Sequence, residues 1–182
     1  CIIKNCNLKN NQKMKKKRKK NKGILFWVTG LSGTGKSTLG ELILPYIRKK
    51  YGPTLIVHGD DFRSLFQLKG YSKIMRLKNC KKYIKFAKYI TDQNINLIFT
   101  VIGMHDEIRN WNKKNIKNYF EIYIEKENYY KTVDKKRLKN NIVGINIKPE
   151  LPKNPDIKIF NNFNKSVKYL SKELIKKINQ KI

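Results

Sequence analysis

Glycines at positions 30, 33 and 35 lead into Lys36 and Ser37 in the run G-L-S-G-T-G-K-S. These residue types at this spacing suit one task, gripping the phosphates of a nucleotide. Glycine lets successive backbone N–H groups turn inward around phosphate oxygens, and a helix starting there adds the positive end of its dipole. Lys36 can then reach the β- and γ-phosphates, and the Ser37 hydroxyl can ligate Mg²⁺. Leu31, Ser32, Thr34 and Thr38 complete a segment expected to contact ATP from Gly30 to Thr38.

A second group of reactive side chains follows in H-G-D-D-F-R, from His58 to Arg63. A carboxylate here can orient an acceptor hydroxyl and take its proton, or help to hold Mg²⁺. Arg63, one turn further on, is placed for an anionic group of the acceptor. The plainer role for Asp60 or Asp61 is to cap a helix.

Such groups meet only if the chain brings them to one edge. Ile24 to Thr29 is a short apolar run of the kind found in buried parallel strands, and the glycine loop follows directly. Ser37 opens a helix with Leu39, Leu42, Ile43, Tyr46 and Ile47 on one face, and Pro45 should kink or shorten it. Thr54 to His58, Asn96 to Ile102, Phe120 to Ile124 and Asp156 to Phe160 are expected as four further strands. Between them, apolar residues at three- and four-residue steps predict a helix from Lys73 to Gln93, carried by Ile74, Leu77, Cys80, Ile84, Ala87 and Ile90. Val167, Leu170, Leu174 and Ile178 predict another over Asn164 to Ile178. The alternation implies an α/β fold, a parallel five-stranded sheet covered by helices on both faces. In such a sheet the strand C-terminal ends line the ligand crevice, so Asp60 and Asp61 should face the phosphates.

Composition bounds the rest. A chain of 182 residues, 40% hydrophobic, can bury one sizeable core. The expected division is a disordered basic tail over residues 1–22, ending in K-M-K-K-K-R-K-K-N-K, and one domain over 23–182. No apolar run is long enough to span a membrane. The three cysteines form no metal-ligand spacing, which fits a reducing, cytoplasmic setting with Cys80 as a small core residue. The net charge of +29 invites a nucleic-acid partner, yet lysine is spread over every segment and predicts only weak, salt-sensitive attraction to polyanions.

Several segments together carry a family resemblance. F-W-V-T-G-L-S-G-T-G-K-S-T resembles the opening of the adenylyl-sulfate kinases, which are P-loop proteins. H-G-D-D-F-R is similar to their aspartate-glycine-aspartate segment, and G-Y-S-K-I-M-R-L-K-N at Gly70 to Asn79 to their acceptor-binding stretch. I-G-M-H-D-E-I-R-N-W-N at Ile102 to Asn112 and P-K-N-P-D-I at Pro152 to Ile157 also resemble family segments. The resemblance covers Ile24 to Phe160. It implies a kinase that uses ATP and Mg²⁺ to phosphorylate the 3′-hydroxyl of adenylyl sulfate, and a homodimer. Carried over by position, Asp60 becomes the base and a metal contact. Lys36 and Ser37 become the phosphate and metal contacts. Asp61, Arg63, Tyr71, Arg76, Asn79 and Ile102 then form the acceptor site.

The chain also departs from the family pattern. His58 stands in place of the first aspartate of the triplet, Met75 in place of the acid before Arg76, and Asn146 in place of a further acid. After Val133 to Leu138 the family continues through a longer lysine- and tyrosine-containing lid, whereas here Leu138 passes almost directly into N-N-I-V-G-I. Lids exclude water and close over substrates, so this change bears on the acceptor. Lys135, Lys136, Arg137 and Lys139 are candidates to supply charge there. Two alternatives follow: a 3′-kinase of another nucleotide in surface-polysaccharide synthesis, or a non-catalytic nucleotide- or nucleic-acid-binding protein.

Overall fold

A strand with no polar face must be covered on both sides, and Ile24–Thr29 meets that condition at the centre of the sheet. In the computed structural model, which describes residues 22–127 and 141–182, this segment is β1. It exposes no surface from Leu25 to Thr29. The basic tail up to Asn21 and the lid positions Val133 to Lys139 lie outside the described residues.

β1 pairs in parallel with β3 (Asn96–Val101) on one side and β4 (Asn118–Glu125) on the other. β2 (Thr54–His58) flanks β3, and β5 (Ile157–Phe160) flanks β4, so the order is β2-β3-β1-β4-β5, parallel throughout. This is the five-stranded parallel sheet expected from the sequence.

Side chains alternate between its faces. Phe26 and Val28 pack with Leu39, Ile43 and Ile47 of α1 (Lys36–Tyr51) and with Leu170, Leu174 and Ile178 of α5 (Val167–Lys181). Leu25 and Trp27 point the other way. They meet Phe62 of α2 (Gly59–Leu65), Tyr83, Ile84 and Ala87 of α3 (Lys73–Asp92), and Ile108 of α4 (Asp106–Asn115). Each fully buried large apolar side chain contributes about 1.5–3 kcal/mol relative to exposure.

Several expectations are corrected. Pro45 does not shorten α1, which runs 16 residues. Pro45 is exposed, so the Glu41 carbonyl it leaves unpaired can turn to water, while Ile43, Leu44 and Ile47 anchor both halves to the core. Leu42 is 43% exposed because Gly40 and Leu44 share the buried face instead. Ile74, 78% exposed, lies in the first turn of α3, before that helix reaches the sheet at Asn79 and Cys80. β4 starts at Asn118, which with Tyr119 pairs with Ile24 and Leu25. Asp156 falls outside β5, its carboxylate accepting the Glu121 N–H at 2.8 Å. α5 begins at Val167, where the Ser166 hydroxyl caps it by accepting the Tyr169 N–H. The periodicity gives no element over Asp106–Asn115, where the structure has α4.

α4 also carries a charge into the core. Arg109 and Glu121, 3% and 1% exposed, lie 3.3 Å apart, with Asp106 and Lys113 completing the cluster. Burial pushes the Glu121 carboxyl above its ordinary range, and the charges of Arg109 and Lys113 offset only part of this. Removing one partner of a buried pair costs roughly 3–5 kcal/mol, so Arg109→Met should destabilise the fold by about that amount in urea unfolding. The native state would then hold the Glu121 proton more tightly than the unfolded chain does. Stability of the variant should therefore fall as pH rises above the ordinary glutamate value of about 4.3, and Arg109→Met/Glu121→Leu should recover most of the loss.

Candidate active site

Parallel pairing aligns three strand ends at one level: Thr29 sits opposite Val101, and His58 opposite Thr100. β1 runs into the glycine loop, β2 into α2 and β3 into Ile102, so the loop, Asp60 and Ile102 share one edge.

The loop's shape rests on a few contacts. Gly33 and Gly35 have φ of 70° and 86°, the left-handed region where glycine is favoured. A side chain on Gly30 would meet the Ile124 carbonyl oxygen at 2.5 Å. Thr34 Oγ1 and Lys36 Nζ both donate to the Leu31 carbonyl, at 3.0 and 2.6 Å. From just beyond β5, Asn161 Nδ2 donates to the Thr34 carbonyl at 3.1 Å, while Asn161 Oδ1 accepts the Phe163 N–H. Burial lowers the Lys36 ammonium to about 8, opposed by the charge of Asp60.

A cavity of about 400 Å³ opens above this loop. Ser32, Gly33, Gly35, Lys36, Ser37 and Thr38 form one side of it. Gly59, Asp60, Ile102 and Phe163 contribute to the rest. Asp60 is in the first turn of α2 and the capping position belongs to His58, whose side chain makes no capping bond, so the plainer role for Asp60 does not apply. The donor set facing the cavity, the Ser37 hydroxyl and the Asp60 carboxylate, is all oxygen, which suits a hard cation such as Mg²⁺. No larger cluster of metal-ligating side chains occurs among the described residues.

A smaller cavity of about 40 Å³ adjoins it and shares Gly59, Asp60, Val101 and Ile102. Its other walls are Arg63, Arg76, Cys80 and Tyr83. Both guanidiniums lie against the Tyr71 ring, 4.3 and 5.3 Å from its centroid. Arg63 donates to the Gly70 carbonyl, and Arg76 to those of Tyr71 and Asn141. Among the described residues neither guanidinium forms an ion pair with a carboxylate. Burial, and then the charge of Arg63, lowers the Arg76 pKa. Cys80 is buried as expected, its thiol pushed up to about 12 by burial.

The structure thus gathers Lys36, Ser37, Asp60, Arg63, Arg76 and Ile102 around two joined cavities. Leu31, Thr34 and Gly30 shape the loop from beneath. Tyr71 supports the two arginines. Asp61 is exposed and lines neither cavity, and Asn79 is buried with Nδ2 3.4 Å from the Lys69 carbonyl. His58 ends β2 as expected, and His105 occupies the capping position of α4. Asn161 and Phe163 do not emerge from motif reading, since they stand far along the chain in a polar stretch. The left-handed φ of 61° at Phe163 is visible only in the folded chain.

A glycine loop between a buried parallel strand and a helix, with a carboxylate at the next strand end, defines a P-loop kinase. The family model for adenylylsulphate kinase matches residues 22–160, and the chain belongs to that family. It is 33% identical over 170 residues to the cytidine diphosphoramidate kinase of Campylobacter jejuni, covering 87% of this chain and 98% of that protein. With the adenylyl-sulfate kinase of Clostridium acetobutylicum it shares 30% over 157 residues, 80% of this chain and 78% of that one. The fold matches the Mycobacterium tuberculosis APS kinase solved with AMPPNP and APS, at a TM-score of 0.72 and 22% identity over 87% of this chain and 98% of that one. The chain is accordingly a phosphotransferase with a hydroxyl acceptor, which sets aside the non-catalytic alternative.

Asn161 ties the loop to the chain beyond β5 through two bonds. Losing both, and leaving the Thr34 carbonyl unpaired, should cost about 1–3 kcal/mol in Asn161→Ala, measured by urea unfolding.

Proposed function

We propose that the chain transfers the γ-phosphoryl group of ATP to the 3′-hydroxyl of a nucleotide bearing a further anionic group at its 5′ end, with cytidine diphosphoramidate as the acceptor. The observation that carries this is the place of Asp60, on the wall shared by a phosphate-loop cavity and a cavity lined by two guanidiniums that, among the described residues, form no ion pair with a carboxylate.

The backbone of Gly30 to Thr38 and the Lys36 ammonium hold the β- and γ-phosphates. Asp60 orients the acceptor hydroxyl and takes its proton as the oxygen bonds to the γ-phosphorus. The bond to the β,γ-bridging oxygen breaks, giving ADP and the 3′-phosphorylated nucleotide. Ser37 and Asp60 would hold Mg²⁺, which when bound neutralises charge on the β- and γ-oxygens. Arg63 and Arg76 grip the anionic end of the acceptor, and Tyr71 fixes their planes. Phe163, 56% exposed at the cavity mouth with Lys126 Nζ 5.1 Å from its centroid, offers a face for the base of ATP.

Two observations favour cytidine diphosphoramidate. Similarity to the Campylobacter kinase extends over 98% of that protein, and the lid positions after Leu138 are shorter than the adenylyl-sulfate kinase pattern. Adenylyl sulfate is the second reading, favoured by the family model itself.

Purified protein with ATP, Mg²⁺ and each acceptor in turn decides between them. We expect 3′-phosphorylation of cytidine diphosphoramidate, with adenylyl sulfate turned over at a lower kcat/KM. The reverse order selects the second reading, and turnover of neither overturns the proposal. Asp60→Asn should lower kcat by about 10²–10⁴ without moving the unfolding midpoint by much, and retained activity would remove Asp60 from its role. Phe163→Ala should raise KM for ATP by about threefold to tenfold with little change in kcat.

A further inference from the structure

Four side chains form a line of hydrogen bonds from the surface to the phosphate loop. Glu41 Oε1 lies 2.9 Å from His58 Nε2, and His58 Nδ1 lies 2.7 Å from Thr100 Oγ1. Thr100 Oγ1 in turn lies 3.3 Å from Ser37 Oγ. His58 and Thr100 are directly paired residues of β2 and β3, so their side chains project from the same face of the sheet. Gly40 lets α1 come close enough for Ser37 to join them, since a side chain there would meet Thr100 Cγ2 at 2.8 Å.

With a neutral His58 ring, the Glu41 carboxylate sets the direction of each bond. A carboxylate only accepts, so Nε2 carries the ring proton. A neutral imidazole protonated on Nε2 has a lone pair on Nδ1, and the Thr100 hydroxyl donates to it. Thr100 has one hydroxyl proton, now used, so its oxygen accepts from Ser37. The line then runs Ser37 to Thr100 to His58 to Glu41, each donor pointing away from the Ser37 oxygen along the cavity wall that His58 and Thr100 help to form.

We propose that His58 is a positioning residue which, as a neutral Nε2–H ring acting through Thr100, turns the Ser37 hydroxyl proton toward β3 and leaves the Ser37 lone pairs free to ligate a divalent cation. This rests on the reading of Ser37 as a metal ligand. It also accounts for histidine where the family has an aspartate. A ring lone pair accepts from Thr100 without adding negative charge beside the loop, and Glu41, 54% exposed, orients the ring from its other nitrogen.

The full chain allows two independent tests. With ¹⁵N-labelled histidine, the two rings, His58 and His105, are distinguished by His105→Gln. His58 is expected as the Nε2–H tautomer, and an Nδ1–H tautomer or an imidazolium overturns the proposal. In the second test Mg²⁺ is titrated calorimetrically into the protein–AMPPNP complex. Thr100→Val, nearly isosteric at a site 3% exposed, and His58→Leu should each weaken Mg²⁺ binding about fivefold to tenfold. Metal-free AMPPNP affinity should stay within about twofold. His58→Asn, which keeps an acceptor near the Nδ1 position, should recover most of the loss relative to His58→Leu. Unchanged Mg²⁺ affinity in both variants overturns the line of bonds while leaving Ser37 as a ligand. Equal AMPPNP affinity of the unaltered protein with and without Mg²⁺ overturns both readings.

Discussion

Everything at the site depends on β1 being hydrogen-bonded in parallel on both sides. A strand so placed has no free edge and no solvated face, so it must be apolar, and the helical crossovers bring its neighbours back in the same direction. Because β2, β3 and β4 run the same way, their exits lie together, and the loop after β1 meets the carboxylate after β2 and Ile102 after β3. The same pairing puts His58 beside Thr100. Helices follow from the covering requirement: α1 and α5 close one face, and α2, α3 and α4 the other.

The second constraint is electrostatic. Lys36, Arg63 and Arg76 stand around two joined cavities with Asp60 between them. Burial lowers Lys36 to about 8 and lowers Arg76 as well, so the ligand-free protein holds these cations against their hydration preference. An anion entering the cavities relieves that cost. The overall charge of +29 works at longer range, attracting any polyanion weakly, whereas these groups act at hydrogen-bond distance.

The parts of the fold that were legible are those governed by local rules. β1, the loop and α1 announce themselves through an unbroken apolar run, glycine spacing and a helical period, and the alternation of elements predicts the parallel sheet. The misreadings are long-range. Leu42 and Leu44 have the same chemistry, and only the approach of Gly40 to Thr100 decides which of them turns inward. Asp156 adjoins a strand-forming run in sequence, but its carboxylate is taken by the Glu121 N–H. At the site, motif reading finds groups near each other in sequence, such as Lys36 with Ser37 or Asp60 with Arg63. Asn161 meets Thr34 across 127 positions, and Ser37 meets Thr100 across 63, so no local pattern marks them.

The reaction and the choice of acceptor therefore sit on different supports. In the proposed reaction the groups that would hold the transferring phosphoryl hang from the central strands, where parallel pairing and two cores fix them. Those that would receive the acceptor hang from α2, α3 and the segment at Asn141, further from the sheet. Met75 shows how such a site can change. Where the family has an acid before Arg76, this chain has a side chain packed against Gly70, and Arg76 takes its geometry from the carbonyls of Tyr71 and Asn141. Carbonyls orient a guanidinium without neutralising it, whereas an adjacent carboxylate would cancel much of its charge. Arg63 is held in the same way, by the Gly70 carbonyl and the Tyr71 ring. Among the described residues both arginines thus stand without a carboxylate partner, which fits the proposed reading in which they meet the acceptor's anionic group.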